Sequence, residues 1–339
     1  MSATPLLELD HLSTHYVSGQ GTRVVRAVDD VSLKLHAGET LGIVGESGSG
    51  KSTLALTLMR VLPPAARIVG GRILFEGEDL VPKPEPEMQQ IRGKRLAMVL
   101  QDPMASLNPL FTIGDQVAEP IRVHEGAPRA TAWSRARELL KAVRIPSPET
   151  RLKQYPHEMS GGMRQRIVGA IGIACEPRLL IADEPTTSLD LTIQAQYLKM
   201  LRDLQQAHGL ALIFITHNLG IVAKMCDKLA VMYAGRVVES GPVSRIFNAP
   251  AHPYTKALLN SIPRMGDPDQ RLTAIDGQPP DLSNLPPGCS FAARCPQAMV
   301  RCRDEAPPVF APEEGRTTRC WLSEPATAGA DFRVADGVA

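Results

Sequence analysis

No apolar run in this chain approaches the ~20 residues that a membrane helix needs; ALIFIT at 211–216 is only strand-sized. Charge of one sign is missing too: 37 Lys and Arg against 36 Asp and Glu leave a net charge of +1, which provides no electrostatic footprint for nucleic acid. The start, MSATPLLELD, has no basic segment followed by an apolar core, so it does not read as a secretory signal. These absences predict a soluble, cytoplasmic protein that reaches a membrane only through partners. At 339 residues there is room for one large α/β domain and an extension.

GESGSGKS at 45–52 fits the phosphate-loop spelling G-x-x-x-x-G-K-[ST]. Small residues allow successive backbone N–H groups to turn onto an anion, and a helix starting near Lys51 adds the positive end of its dipole. Lys51 is positioned to reach the β and γ phosphates, and the Ser52 hydroxyl to ligate Mg²⁺. The flanks agree: LGIVG at 41–45 reads as a strand and TLALTLMRVL at 53–62 as a helix. A dinucleotide site is excluded, because the glycines do not fall as G-x-G-x-x-G and Lys51 follows Gly50 directly.

LLIAD at 179–183 reads as a buried strand delivering Asp183 at its C-terminal edge. Asp183 is a second anchor for Mg²⁺. Glu184, next in the chain, is placed to polarise an attacking water. His217 follows the apolar strand ALIFIT at the same kind of strand end. MSGGMRQR at 159–166 places Ser160 as the N-cap of a helix running from about 163 to 175, with first-turn N–H groups left open by Gly161 and Gly162. A second anion-binding helix start in a chain that already has a phosphate loop points to a nucleotide held by another subunit.

Around these motifs, residues 5–36 and 71–80 alternate in the manner of an antiparallel layer. Residues 102 to about 160 turn helical, with RARELLKAV at 135–143 the clearest element and proline-rich breaks around it. A helix near 192–206 and strands at 210–216 and 229–233 follow.

In this order the segments resemble the ATP-binding subunits of ABC transporters, over roughly residues 5–245. The resemblance implies an ABC-type phosphate-loop ATPase fold: a mixed α/β core sheet, an antiparallel β layer and a helical subdomain at about 102–160. It makes Gly45, Glu46, Ser47, Gly48, Ser49, Gly50, Lys51, Ser52 and Thr53 the Walker A segment holding ATP, and Tyr16 the adenine-stacking aromatic. Gln101 is the Q-loop glutamine, touching the Mg²⁺ site with Ser52 and Asp183 and meeting the transmembrane subunit. Ser160, Gly161, Gly162 and Met163 are the signature, SLD ending at Asp190 is the D-loop, and Glu184 and His217 are the catalytic glutamate and switch histidine. SGGMRQR with DEPTTSLD narrows the likeness to the D-type ATPase of dipeptide/oligopeptide permeases. Such a subunit pairs with an F-type ATPase, two transmembrane permease subunits and an extracytoplasmic substrate-binding protein, at the cytoplasmic face of the membrane.

Beyond about 245, NAPAHPYTKALLNSIP at 248–263 resembles the His-Pro-Tyr segment of the same permeases; its residues read as a turn and a packing helix without chemistry. Cys175 and Cys226 in the ATPase domain read as buried small residues. Four of the 6 cysteines, Cys289, Cys295, Cys302 and Cys320, crowd the C-terminal region. A cytoplasmic location disfavours disulfides, and gaps of 5, 6 and 17 residues match neither a zinc ribbon nor a ferredoxin run, so spacing leaves zinc, an iron–sulfur cluster and no metal all open. The likeness of GCSFAARC at 288–295 to the permease ATPases implies a [4Fe–4S] cluster. The expected division is 1–245 ATPase, 246–322 extension and 323–339 a disordered tail.

Two other functions belong beside the peptide importer. One keeps the transporter and changes the cargo to nickel, oligosaccharide or glutathione. The other is an ABC ATPase of nucleic-acid maintenance or translation, which the single phosphate loop and the 58 residues between Gln101 and Ser160 argue against, since such proteins carry coiled-coil insertions or tandem ATPase domains.

Overall fold

The computed structural model describes residues 4–18, 21, 23–100, 102–186, 189–261 and 274–325. Two strands, β1 (Leu7–Val17) and β2 (Val24–Leu35), precede β3 (Thr40–Val44) and the helix α1 (Lys51–Met59). The chain continues through β4 (Ala66–Phe75), β5 (Glu78–Asp79), α2 (Glu85–Ile91) and β6 (Leu96–Val99). A helical stretch follows: α3 (Pro103–Ser106), α4 (Ile113–Glu125), α5 (Arg129–Ala142), α6 (Pro148–Arg151) and α7 (Gly161–Gly172). Then β7 (Leu179–Asp183), α8 (Leu191–His208), β8 (Ala211–Ile215), α9 (Leu219–Met225), β9 (Lys228–Tyr233) and β10 (Arg236–Pro242) lead into α10 (Val243–Asn248) and α11 (Pro253–Asn260). The last elements are α12 (Arg301–Asp304), β11 (Phe310–Glu313) and β12 (Arg316–Thr318).

Every residue of β3, β7 and β8 is buried, because parallel strands covered on both faces must be apolar throughout rather than alternate. They lie side by side in the order β9-β3-β8-β7-β6, all parallel. Three adjacent strands therefore end on the same edge, and their following loops carry Lys51, Glu184 and His217. The four-stranded layer β2-β1-β4-β5 is antiparallel and packs Leu9, Val28, Ile73 and Phe75 over Leu54, Leu58 and Ile213 in one core.

The helical stretch packs α4, α5 and α7 together through Val117, Ile121, Ala136, Leu140 and Ile167, all fully buried. Pro120 lies inside α4 rather than at a break. The buried apolar residues Ile113, Val117 and Ile121 hold the helix on both sides of the backbone bond that proline cannot make.

The segment after residue 245 is continuous with the main sheet. β12 adds antiparallel to β10, with Glu239 opposite Thr318, and β11 adds to β12. Tyr254 and Phe291 share a core with Val44, Leu229 and Tyr233. Where the main sheet gains β12, the buried Glu239 carboxylate accepts from Arg316 Nη2 at 2.6 Å and from the backbone N–H groups of Ala251 and His252 at 2.9 Å. Cys175 and Cys226, read from the sequence as buried, are half-buried, each just beyond the end of a helix, α7 and α9; Cys226 still packs against two apolar clusters. Most of the expected tail, from 326 onward, lies outside the described residues.

Candidate nucleotide site

The turn between β3 and α1 depends on Gly50, whose φ is 102° and whose missing Cβ would stand 2.0 Å from the carbonyl oxygen of Ala27; no other residue fits. Lys51 opens α1 and is 7% exposed. Its Nζ donates to the carbonyls of Gly45 and Glu46, each at 2.8 Å. Burial pushes the Lys51 pKa down, and the carboxylates of Glu184, Asp183 and Glu46 oppose the shift. A cation is thus held at the mouth of a loop of backbone N–H donors.

Asp183 ends β7 nearby, 5% exposed. Burial raises its pKa above the usual carboxylate range; a hydrogen bond from Ser52 opposes this, and the charge of Glu184 adds to it. Among the described residues its Oδ1 is buried without a hydrogen-bond partner. An orphaned carboxylate oxygen beside a hydroxyl at the phosphate loop is a hard-oxygen donor set, and Ser52 and Asp183 fit Mg²⁺.

Glu184 leaves the strand with φ 45°, a left-handed conformation that costs a non-glycine residue roughly 1 kcal/mol. Its backbone N–H donates to Ile215 O at 2.9 Å, which turns the side chain toward the loop. Glu184 Oε1 lies 3.3 Å from His217 Nδ1, so the residues after β7 and β8 meet across the site. Glu184 and His217 line one cleft of about 590 Å³ with Tyr16, Lys51, Ser52 and Thr53. Tyr16 stands at its rim, with Oη 3.4 Å from Thr53 Oγ1.

Ser160, Gly161, Gly162, Met163 and Asp190 do not line this cleft. Ser160 caps α7 by accepting from Met163 N, and Asp190 caps α8 by accepting from Thr192 N and Ile193 N at 3.0 Å. A Cβ on Gly162 would stand 2.8 Å from Ile193 Cγ2, so this glycine is needed where the starts of α7 and α8 pack together. Gln101 and Ser188 lie outside the described residues.

Two residues at this site escape a reading of the sequence. Tyr254, in the His-Pro-Tyr segment expected only to pack, accepts from Glu46 N at 2.9 Å. Arg294 makes a two-pronged ion pair with the Glu46 carboxylate. Their partner is 208 and 248 residues away, and nothing in local spelling announces contacts at that range.

The four C-terminal cysteines are free thiols. Burial pushes up the pKa of Cys289, Cys295 and Cys320, the last to about 11, and the other cysteines add to each shift. The fold has therefore gathered them into one neighbourhood. Among the described residues, no three His, Cys, Asp or Glu side chains form a group able to hold a metal ion as they stand.

Residues 28–187 match the ABC transporter family, and residues 238–302 match the oligopeptide/dipeptide transporter C-terminal region. A probable peptide ABC transporter ATP-binding protein, y4tR of Sinorhizobium fredii, is 49% identical over 94% of this chain and 95% of its own length. The dipeptide transport ATP-binding protein DppD of Bacillus subtilis is 48% identical over 94% and 95%. The oligopeptide transport protein OppD of the same species is 49% identical over 95% of this chain and 90% of its own length. Among solved structures, cbiO1 from Clostridium perfringens, part of the ABC transporter complex cbiONQ, superposes with a TM-score of 0.61 at 28% identity, covering 72% of this chain and 91% of that one. The dimeric bacterial ABC transporter cassette MJ0796 gives 0.63 at 25% identity, covering 70% and 98%.

Proposed function

Because the chain belongs to the family of ABC transporter ATP-binding proteins that carry the oligopeptide/dipeptide transporter C-terminal region, we propose that it hydrolyses ATP to drive import of dipeptides or oligopeptides. One observation carries the peptide reading: relatives named for dipeptide and oligopeptide transport match end to end at nearly half their residues. No helix among the described residues is long and apolar enough to cross a membrane, so transport requires two membrane permease subunits, with this chain docked peripherally on their cytoplasmic face. An extracytoplasmic binding protein delivers the peptide, and an F-type ATPase subunit completes a heterodimer.

The reaction is in-line attack of water on the γ-phosphate, driven by positioning and charge. The loop from Gly45 to Thr53 cradles the phosphates and Lys51 meets the β and γ oxygens. Ser52 and Asp183, with Gln101, hold Mg²⁺, which neutralises phosphate charge when bound. Glu184 orients and polarises the water, and His217, whose Nδ1 lies 3.3 Å from the Glu184 carboxylate, hydrogen-bonds to the γ-phosphate and the attacking water. Tyr16 stacks on adenine. Ser160, Gly161, Gly162, Met163 and Asp190 act on the nucleotide of the partner subunit, in keeping with their absence from the lining of this chain's own cleft.

The domain division is 1–245 for the ATPase, with a helical subdomain at about 102–160, and 246–322 for the extension. Within the extension, Cys289, Cys295, Cys302 and Cys320 bind a [4Fe–4S] cluster. Four free thiols in one neighbourhood supply the right donor chemistry. Among the described residues these thiols do not form a group that holds a metal ion as they stand, so the cluster reading rests on their donor chemistry and on the resemblance. Iron and sulfide analysis of anaerobically purified protein tests this, and metal-free protein of full activity refutes it.

For the transport reading, uptake of labelled di- and oligopeptides is compared between cells with the intact gene and cells carrying Glu184→Gln, in a host lacking other peptide uptake. Collapse of uptake, with kcat for ATP falling by about 10²–10⁴ and ATP still bound, is the expected result. Unchanged peptide uptake removes the cargo assignment; unchanged ATP turnover removes the role of Glu184.

A further inference from the structure

We propose that the C-terminal extension braces the phosphate loop, and that Arg294 is a positioning residue for ATP binding, acting through Glu46. The proposal rests on the reading of the cleft as an ATP site and adds a part to it that the motifs of the ATPase domain do not contain.

Glu46 places a carboxylate inside a loop built to receive a triphosphate. Left alone, it would repel the ligand that the loop exists to bind. In the fold it is turned onto Arg294: Nη1 donates to Oε2 at 2.7 Å and Nη2 to Oε1 at 3.0 Å. The two parallel bonds fix orientation as well as charge. The Arg294 side chain is 4% exposed, and its remaining donors are spoken for. Nε donates to Asp276 O at 2.9 Å, Nη2 to Ile275 O at 3.0 Å and Nη1 to Tyr233 Oη at 3.3 Å. Its guanidinium also sits 5.8 Å from the Tyr233 ring centre. Among the described residues this enclosed cation has one carboxylate partner, and that partner belongs to the phosphate loop.

The same loop residue is held a second time. Tyr254, fully buried, accepts from Glu46 N at 2.9 Å. Tyr233, Tyr254 and Phe291 pack ring to ring at 4.6 to 5.3 Å, which makes one rigid unit of the His-Pro-Tyr segment and the turn that presents Arg294. That turn runs between two of the four cysteines: Ala292 N donates to Cys289 O at 2.9 Å, Arg294 N to Phe291 O at 3.0 Å, and Cys295 follows. Both conspicuous motifs of the extension thus end on Glu46, one on its backbone and one on its side chain.

If Arg294 acts by neutralising and aiming Glu46, its loss matters only while Glu46 is charged. Equilibrium binding of MgATP to the full-length chain is measured for Arg294→Gln in the wild-type background and in an Glu46→Gln background. The expected result is a Kd raised about tenfold in the first and less than about twofold in the second, with Arg294→Lys, which keeps the charge, between wild type and Arg294→Gln. A purely structural role for Arg294 would give the same factor in both backgrounds. Equal factors, or no weakening in the wild-type background, overturn the proposal. Should Arg294→Gln fail to fold, hydrogen exchange at the Glu46 and Ser47 amides in Glu46→Gln decides, since that change leaves the enclosed arginine in place: faster exchange than wild type supports the brace and unchanged exchange refutes it. A wild-type chain that binds no MgATP overturns both this proposal and the nucleotide-site reading, whereas normal wild-type binding with equal factors removes the brace alone.

Discussion

Acid should loosen the extension through one residue, His252. It is 1% exposed, and its Nδ1 accepts from Tyr254 N at 3.0 Å, capping α11. Burial pushes its pKa down to about 4, opposed by a hydrogen bond to the Arg319 backbone. A depressed histidine pKa means that the fold prefers the neutral ring. The unfolded chain binds the extra proton between the ordinary value near 6.5 and about 4, so stability rises with pH across that window. The contribution is complete above about pH 7; about 2 kcal/mol of it is gone at pH 5 and about 3 kcal/mol at pH 4, working from the shift of His252 to about 4 and 1.36 kcal/mol per pKa unit. The comparison is denaturant unfolding of the full chain and of His252→Asn, whose side-chain oxygen also caps a helix, at pH 7.5, 6, 5 and 4.5. Other carboxylates contribute equally to both proteins, so the difference between them isolates the histidine. Wild type should lose its advantage over the variant by about 2 kcal/mol between pH 7.5 and 5. Parallel profiles would refute the buried neutral histidine as the origin of acid sensitivity in this region.

Two further predictions concern the candidate Mg²⁺ site and the seam between sheet and extension. Asp183→Asn removes the buried carboxylate whose Oδ1 has no partner among the described residues and keeps its shape; the Mg²⁺ concentration for half-maximal ATP hydrolysis should rise by about tenfold or more, while an unchanged Mg²⁺ dependence would place the ion elsewhere. Glu239→Ala takes from the Arg316 guanidinium, 7% exposed, its fully buried carboxylate partner, leaving it Glu313, and strands the N–H groups of Ala251 and His252, at an expected cost of about 3 kcal/mol; a loss under about 1 kcal/mol in denaturant unfolding would show that the seam carries little of the stability.

What the sequence made legible and what it hid divide along a physical line. The phosphate loop, Asp183 with Glu184, and His217 are readable as candidates because each is a strand end followed by a polar or charged residue, and both the apolar run and the residue after it are local spellings. The three strand ends come together because β3, β8 and β7 are neighbours in one parallel sheet, an arrangement that the resemblance supplied and periodicity alone did not. β11 and β12 were invisible for a different reason: FAPE and RTT are short, and alternate little. They become strands because β10 offers an open edge and because Glu239 and Arg316 neutralise each other across it. Tyr254 and Arg294 lie furthest from any local reading, since a tyrosine after His-Pro and an arginine before a cysteine have no pattern that points to a loop two hundred residues upstream. Their role is visible only where Glu46 is seen to be held from both sides. The most recognisable motif in this chain therefore depends for its shape on its least readable region, and a truncation after residue 245, which would keep every ATPase motif, would leave Glu46 N–H and its carboxylate without Tyr254 and Arg294.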